Sequence, residues 1–442
     1  MARRYFGTDG VRGVVGEFLT PELVERLGRA ASLWTGAATV FVGRDTRASG
    51  LELEEAFARG VVSAGGECIL GGVLPTPAVA LLALDLGVVI SASHNPPEYN
   101  GVKFFDSAGH KLSDTSEEQI EELLAAAPGV DQGSIEHVDV ATDSYRQHIL
   151  DRFGADLSGL RIAVDCANGA ASEVGPAALR EAGADVVVIN ASPDGRNINE
   201  KCGSTHPEQL QASVVASGAD LGVAFDGDAD RCLAVDHTGT LVDGDQIMGA
   251  LAIAAIDLHD RKQLRGDAIV ATVMSNMGLR RALEPYGISV IETPVGDRNV
   301  LDVLEQRNLA LGGEQSGHVI YADHATTGDG TLTGVFLLDT MSRRGRKLSE
   351  LASVVTRVPQ VLRNVAVDGA DALARDAAFW SRVRDVDDEL GDDGRVLVRP
   401  SGTEPLVRVM VEATDPEAAE AAVERLVDLV EHAAARSAPV RL

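Results

Sequence analysis

Three aspartates at alternate positions, Asp226, Asp228 and Asp230, follow the apolar run Leu221-Gly-Val-Ala-Phe. In a tight loop relaxed by Gly227 their carboxylates can converge on one hard cation; without one they repel. An all-oxygen donor set suits Mg²⁺, which keeps open positions for a phosphate oxygen or water. A helix-loop-helix calcium loop does not fit, because the sixth position is Arg231 rather than Gly and the twelfth is His237 rather than Glu. Two other readings stay open: Asp226 as the nucleophile of an aspartyl-phosphate phosphatase, since Phe225-Asp-Gly-Asp also follows a strand, and a plain polar turn.

A second group of residues offers a nucleophile. Ser93 precedes His94-Asn95-Pro96-Pro97 at the end of an apolar run. The prolines hold it in a fixed turn, as a phosphoryl carrier requires. Ser91 is the rival, and a Ser-His pair alone is as compatible with capping or turn formation. In Arg399-Pro-Ser-Gly-Thr-Glu-Pro405, the hydroxyls of Ser401 and Thr403, the Gly402 backbone, and the guanidinium groups of Arg399 and Arg408 offer the donors of a phosphate nest, with a plain hairpin turn as the other reading. Glu314, Ser316 and His318 alternate across Gly-Glu-Gln-Ser-Gly-His, which aims a carboxylate, a hydroxyl and an imidazole at a polyol. Gly7-Thr-Asp-Gly-Val-Arg-Gly13 adds flexible backbone and Arg12.

These loops need scaffolds, and the chain repeats one grammar three times: a strand, a polar turn, a helix, then a later strand ending in a loaded loop. Thr39–Gly43, a helix over 51–64 and Gly87–Ile90 lead into the Ser93 loop. Arg161–Asp165, a helix to Ala182, Val186–Ile189 and Leu221–Phe225 lead into the aspartates. Ala268–Val273, a helix to Pro285, Ile288–Ile291 and Leu309–Leu311 lead into the Glu314 loop. Strands alternating with helices predict βαβ units around mainly parallel sheets, and ligands bind beyond the carboxyl ends of such strands. Three loaded loops at equivalent strand ends predict three walls of one cleft.

After Val361 the pattern changes to strand 362–367, helix 371–390, strands 395–398 and 406–412, and helix 416–432. Val423, Leu426, Val427 and Val430 are spaced for core packing. The acidic stretch 385–393 reads as a solvated loop. The fold class expected is α/β: three successive βαβ-type mixed-sheet domains, 1–145, 146–246 and 247–358, plus a C-terminal α+β domain, 359–442, around a central cleft.

At 442 residues and 45% apolar composition the chain divides into several cores. A net charge of −28 and only 4% aromatic residues argue against nucleic acid as a partner. The four cysteines show no CxxC spacing and read as reduced thiols. No apolar segment suffices to span a bilayer, and no h-region follows the N-terminal arginines, so a soluble cytoplasmic location is expected.

Taken together, Tyr5-Phe-Gly-Thr-Asp-Gly-Val-Arg-Gly, Ile90-Ser-Ala-Ser-His-Asn-Pro, Asn100-Gly-Val-Lys-Phe-Phe, Asp226-Gly-Asp-Ala-Asp-Arg, Gly313-Glu-Gln-Ser-Gly-His and Arg399-Pro-Ser-Gly-Thr-Glu-Pro resemble the α-D-phosphohexomutase superfamily over essentially the whole chain. The resemblance implies a phosphorylated Ser93 that joins Asp226, Asp228 and Asp230 around Mg²⁺, with Glu314 and Ser316 gripping sugar hydroxyls. It places Arg399, Ser401, Gly402, Thr403 and Arg408 on the distal phosphate, and gathers Arg12, Lys103 and His318 near the transferring phosphate, beside His94. It further implies a sugar phosphate as substrate, a sugar 1,6-bisphosphate as intermediate and activator, and allows a homodimer.

Overall fold

A computed structural model describes residues 4–7, 9–36, 38–127, 129, 133–153, 156–260, 262, 264–367, 373, 375–400 and 406–437. It divides into two compact units, Met1–Thr272 with Tyr286–Val354, and Val273–Pro285 with Val355–Leu442.

The larger unit is built on three mixed sheets. The first runs in the order Val11–Val14, Tyr99–Asp106, Leu86–Ile90, Thr39–Arg44, Glu67–Val73, Ser134–His137. Thr39–Arg44 pairs in parallel with Leu86–Ile90 and Glu67–Val73, while Tyr99–Asp106 runs antiparallel to its neighbours. Leu86–Ile90 is apolar at every position because both its faces are buried. The second sheet orders Leu241–Val242, Cys232–Asp236, Leu221–Phe225, Arg161–Asp165 and Asp185–Ile189, and Leu221–Phe225 is likewise buried throughout. The third orders Ser289–Thr293, Ala268–Thr272, Leu311–Gly313 and Val319–Tyr321. Its third strand begins two residues later than the apolar run suggested, because ladder pairing with Ala268–Thr272 engages only Gly312 and Gly313. Leu309 and Ala310 are buried but precede the strand.

The smaller unit holds an antiparallel sheet, Gln360–Ala366, Leu406–Ala413 and Gly394–Pro400. Helices Ala377–Leu390 and Pro416–Ser437 pack Phe379, Val383, Val423, Leu426 and Val430 against Val365, Val398, Val409 and Val411. The acidic stretch expected as a loop is helical up to Leu390. Its carboxylates have structural partners: Asp387 accepts the Val396 N–H at 2.7 Å, and Glu389 pairs with Arg425. All four cysteines are free and buried, and burial pushes the Cys68 and Cys202 thiols up to about 12. Among the described residues, no helix is long and apolar enough to cross a membrane.

Candidate active site

Strand Leu86–Ile90 ends in a loop in which Ser93 adopts φ 51°, the left-handed region that costs a non-glycine residue about 1 kcal/mol. The twist aims its hydroxyl at the second sheet: Ser93 Oγ donates to Asp226 Oδ2 at 2.6 Å and lies 3.2 Å from His94 Nδ1. Ser91, the rival, is turned elsewhere. Its Oγ donates to Asp45 Oδ2 at 2.6 Å and accepts the Ser93 N–H at 2.9 Å. The two loops touch because Gly227 has no side chain; a Cβ there would stand 2.6 Å from the Ser93 carbonyl oxygen.

Asp226, Asp228 and Asp230 are all nearly inaccessible to solvent, and each offers an oxygen within 4.8 Å of the others. Asp226 Oδ1 accepts the Arg231 N–H at 3.2 Å, and Asp228 Oδ2 accepts Thr76 Oγ1 at 2.7 Å and Lys103 Nζ at 2.8 Å. Of the others, Asp228 Oδ1 is buried with no hydrogen-bond partner among the described residues, and the two oxygens of Asp230 meet only looser neighbours, His318 Nδ1 at 3.6 Å from Oδ1 and Lys103 Nζ at 3.6 Å from Oδ2. Three buried carboxylates this close, one with an oxygen left without a donor, fit a hard cation between them. Burial and then the Asp230 and Asp228 charges push Asp226 well up. Burial also works against ionisation of Asp230, but Lys103 and His318 outweigh it and hold that carboxyl well below the usual range.

Lys103 projects from Tyr99–Asp106 into this cluster and is 1% exposed. Burial disfavours its charge, but Asp228, Asp9 and Asp230 more than restore it, so it stands as a fixed cation. Asp9 bridges the local positive charge: its carboxylate meets Arg12, Lys111 and Lys103, the last at 3.2 Å. Lys111 also pairs with Asp297 at 2.6 Å. His318 lies between Asp230 Oδ1, 3.6 Å from Nδ1, and Asp297 Oδ2, 3.5 Å from Nε2. Burial lowers its basicity, yet Asp230 and Asp297 raise it on balance; the Gly328 N–H, donated to Nε2 at 2.9 Å, directs the neutral ring's proton to Nδ1. Burial, Arg231 and Arg12 push His94 down to about 4, leaving a neutral imidazole beside Ser93 Oγ.

Glu314 and Ser316 occupy the turn between Leu311–Gly313 and Val319–Tyr321, with Ser316 Oγ 3.5 Å from Glu314 Oε2 and the Gly296 N–H donated to Glu314 Oε1 at 3.2 Å. His318 lies near Glu314, whose charge helps raise its basicity, and also reaches Asp230. The turn closes through the Gly317 N–H to Glu314 carbonyl bond, so the strand period is broken and the imidazole faces the aspartates. In the smaller unit Arg399 and Arg408 stand opposite each other on paired strands. Burial and the Arg408 charge push the Arg399 guanidinium down. Ser401, Gly402 and Thr403 lie outside the described residues.

Ser93, His94, Arg12, Lys103, His318 and the three aspartates thus converge within the larger unit. Sequence reasoning missed Asp9, Asp45, Arg47, Thr76, Lys111, Asn199 and Asp297. Asp45 and Arg47 had a signal, an ion pair of residues inside a turn that directly follows a strand. Thr76 had none beyond its flanking prolines.

Domain models of one family match four successive segments: phosphoglucomutase/phosphomannomutase alpha/beta/alpha domain I over residues 3–128, domain II over 143–239, domain III over 243–358, and the C-terminal domain over 362–429. The chain belongs to the phosphoglucomutase/phosphomannomutase family. Within it, a protein of Nocardia farcinica named phosphoglucosamine mutase is 51% identical over 97% of this chain and 99% of its own length. A protein of the same name from Moorella thermoacetica is 50% identical over 94% and 96%. Among solved structures, a phosphoglucomutase/phosphomannomutase family protein of Burkholderia thailandensis superimposes with a TM-score of 0.82 at 28% identity, covering 99% of this chain and 98% of that one. The Aspergillus fumigatus N-acetylphosphoglucosamine mutase, solved with GlcNAc-6P and magnesium, shares the fold with a TM-score of 0.72 at 19% identity, covering 98% and 96%.

Proposed function

We propose that the chain is a phosphoglucosamine mutase, an isomerase that interconverts glucosamine 6-phosphate and glucosamine 1-phosphate through phosphorylated Ser93, with glucosamine 1-phosphate feeding UDP-N-acetylglucosamine and cell-wall synthesis. The observation that carries the chemistry is Ser93 Oγ at 2.6 Å from Asp226, in a cluster of three buried carboxylates in which Asp228 Oδ1 has no hydrogen-bond donor. The choice of amino sugar rests on the relatives that share half their residues over nearly the full length.

Phosphoserine 93 gives its phosphoryl group to the sugar O1 hydroxyl: the Ser93 Oγ–P bond breaks, an O1–P bond forms, and the O1 proton leaves to the basic cluster. The resulting 1,6-bisphosphate turns over, and its 6-phosphoryl group returns to Ser93, releasing glucosamine 1-phosphate. Asp226, Asp228, Asp230 and the Ser93 side chain would hold Mg²⁺, which when bound neutralises charge on the transferring group. Lys103 and Arg12 supply fixed positive charge where phosphoryl oxygens gather. His94, neutral and 3.2 Å from Ser93 Oγ, is placed to carry a proton at that atom, and His318 is the second imidazole of the cluster. Glu314 and Ser316 grip sugar hydroxyls in either orientation, while Arg399, Ser401, Gly402, Thr403 and Arg408 take the phosphate far from Ser93. The four domains take the boundaries 1–145, 146–246, 247–358 and 359–442, and the protein works in the cytoplasm.

Glucosamine, glucose and mannose 6-phosphates offered side by side in a coupled assay test the reading, with Ser93→Ala as control. Turnover fastest on glucosamine 6-phosphate and abolished in a folded Ser93→Ala is expected. Preference for glucose or mannose phosphate would move the chain to another activity of the family, and full activity without Ser93 would overturn the carrier.

A further inference from the structure

Arg47 is 2% exposed and touches none of the reacting groups, yet every N–H of its guanidinium is used. One terminal nitrogen donates to the Ser93 carbonyl at 2.8 Å and the Asn95 carbonyl at 2.8 Å. The other donates to the Tyr99 carbonyl at 3.0 Å and to the Pro96 carbonyl, and Nε donates to Asp45 Oδ2 at 2.9 Å. Asp45 is fully buried; it also accepts the Arg47 N–H at 3.0 Å and the Ser91 hydroxyl at 2.6 Å. Ser91 closes the circuit by accepting the Ser93 N–H at 2.9 Å. Both backbone groups of Ser93 are therefore held by one connected set, with Asn199 Nδ2 adding a second bond to its carbonyl at 2.9 Å.

A buried Arg–Asp pair that served only stability would need no such aim, and replacing it by apolar packing is often neutral. Here three of the five donors end on carbonyls of the loop that carries the nucleophile and a fourth on Tyr99, where the next strand begins, and that loop places Ser93 in a backbone region it would leave if released. The planar fork suits four converging carbonyls in a way a lysine ammonium cannot. Building on the carrier role of Ser93, we infer that Asp45, Arg47 and Ser91 are positioning residues that lock Ser93 in the left-handed conformation that directs its Oγ at Asp226. They act on phosphoryl transfer through Ser93 and make no contact with sugar.

The test compares Ser91→Ala and Arg47→Lys with wild type in kcat, in KM for glucosamine 6-phosphate, and in the ³¹P resonance of phosphoserine 93, with folding checked by circular dichroism. Ser91→Ala is expected to lower kcat roughly 100-fold, as small misplacements of a reacting atom do, with KM changed less than about threefold. Arg47→Lys keeps the charge facing Asp45 but loses the fork, so a loss at least as large is expected, with a shifted phosphoserine resonance in both variants. A wild-type kcat and an unshifted resonance in a folded Ser91→Ala would overturn the inference, as would a fall in kcat matched by an equal rise in KM. Uptake of one phosphate on wild-type Ser93 from a sugar 1,6-bisphosphate, read by intact mass, is measured first. Its absence would sink the carrier reading, and normal uptake with unimpaired variants would sink the positioning role alone.

Discussion

The Thr76 hydroxyl donates to Asp228 Oδ2 at 2.7 Å, and the Thr76 N–H donates to the Asp228 backbone carbonyl at 2.9 Å. With Lys103 Nζ on the same carboxylate oxygen at 2.8 Å, Oδ2 is occupied and Oδ1 alone is left for a cation. Partners that orient a metal ligand typically contribute 10- to 100-fold in metal affinity. Thr76→Val should therefore weaken Mg²⁺ binding about tenfold, and Thr76→Ser should restore it. Calorimetric titration with MgCl₂ alone reads this without turnover, and an unchanged affinity in a folded Thr76→Val would dismiss the role.

Asp329 makes stability depend on pH. It caps helix Gly330–Arg344 through the Leu332 N–H at 2.9 Å and accepts the Tyr145 hydroxyl at 2.7 Å, and burial pushes its carboxyl up to about 6. The folded protein holds a proton here between pH about 4 and 6 that the unfolded chain has released, so this group's contribution falls as pH rises through that window. Asp329→Asn removes the titration. Between pH 7 and 4.5 the stability difference between wild type and Asp329→Asn should shift by about 2 kcal/mol in favour of wild type. Urea melts at the two pH values measure it, and a gap that stays constant would show that Asp329 does not titrate there.

The aspartate loop and the serine turn were legible because each packs its chemistry into one short string at the end of an apolar strand. The strand–turn–helix grammar, repeated three times, was enough to bring those strings together. What stayed hidden is long-range. Thr76 meets Asp228 across 152 positions, Asn199 meets Ser93 across 106, and Lys111 meets Asp297, and no local spacing marks such pairs. The neighbouring prolines favoured Ser93 over Ser91, but the left-handed twist that turns Ser93 toward Asp226, held by the buried Arg47 fork, has no local signature. His318 follows a turn that closes on itself, so its contact with Asp230 could not be read from strand alternation.

In the smaller unit, Glu412 is wholly buried and accepts Arg395 Nε at 2.7 Å, Asn276 Nδ2 at 3.0 Å and the Met277 N–H at 2.9 Å. Asn276 in turn caps helix Met277–Leu283 and bonds both backbone groups of Val358. Glu412→Gln keeps the shape but removes the negative charge that Arg395 Nε pairs with, which should cost this unit about 3 kcal/mol. Hydrogen exchange should then quicken in Met277–Leu283 and Leu406–Ala413 while the Ser93 loop keeps its protection. Uniform exchange with an unchanged melt would show that the carboxylate is dispensable.

Arg399 and Arg408 face each other across paired strands, and like charges placed directly opposite disfavour one another. Burial and Arg408 depress the Arg399 guanidinium, and a phosphate placed there would make charge-assisted bonds with it. A charge-assisted bond of this kind is worth roughly 1.5–3 kcal/mol, which corresponds to a rise in KM for glucosamine 6-phosphate of about 10- to 100-fold in Arg408→Ala. On the proposed role of this pair at the phosphate that is not transferred, phosphorylation of Ser93 by acetyl phosphate, a donor with no sugar, should proceed at the wild-type rate in the same variant. Steady-state kinetics and intact mass separate the two effects, and an equal loss of both would place Arg408 at the transfer step instead.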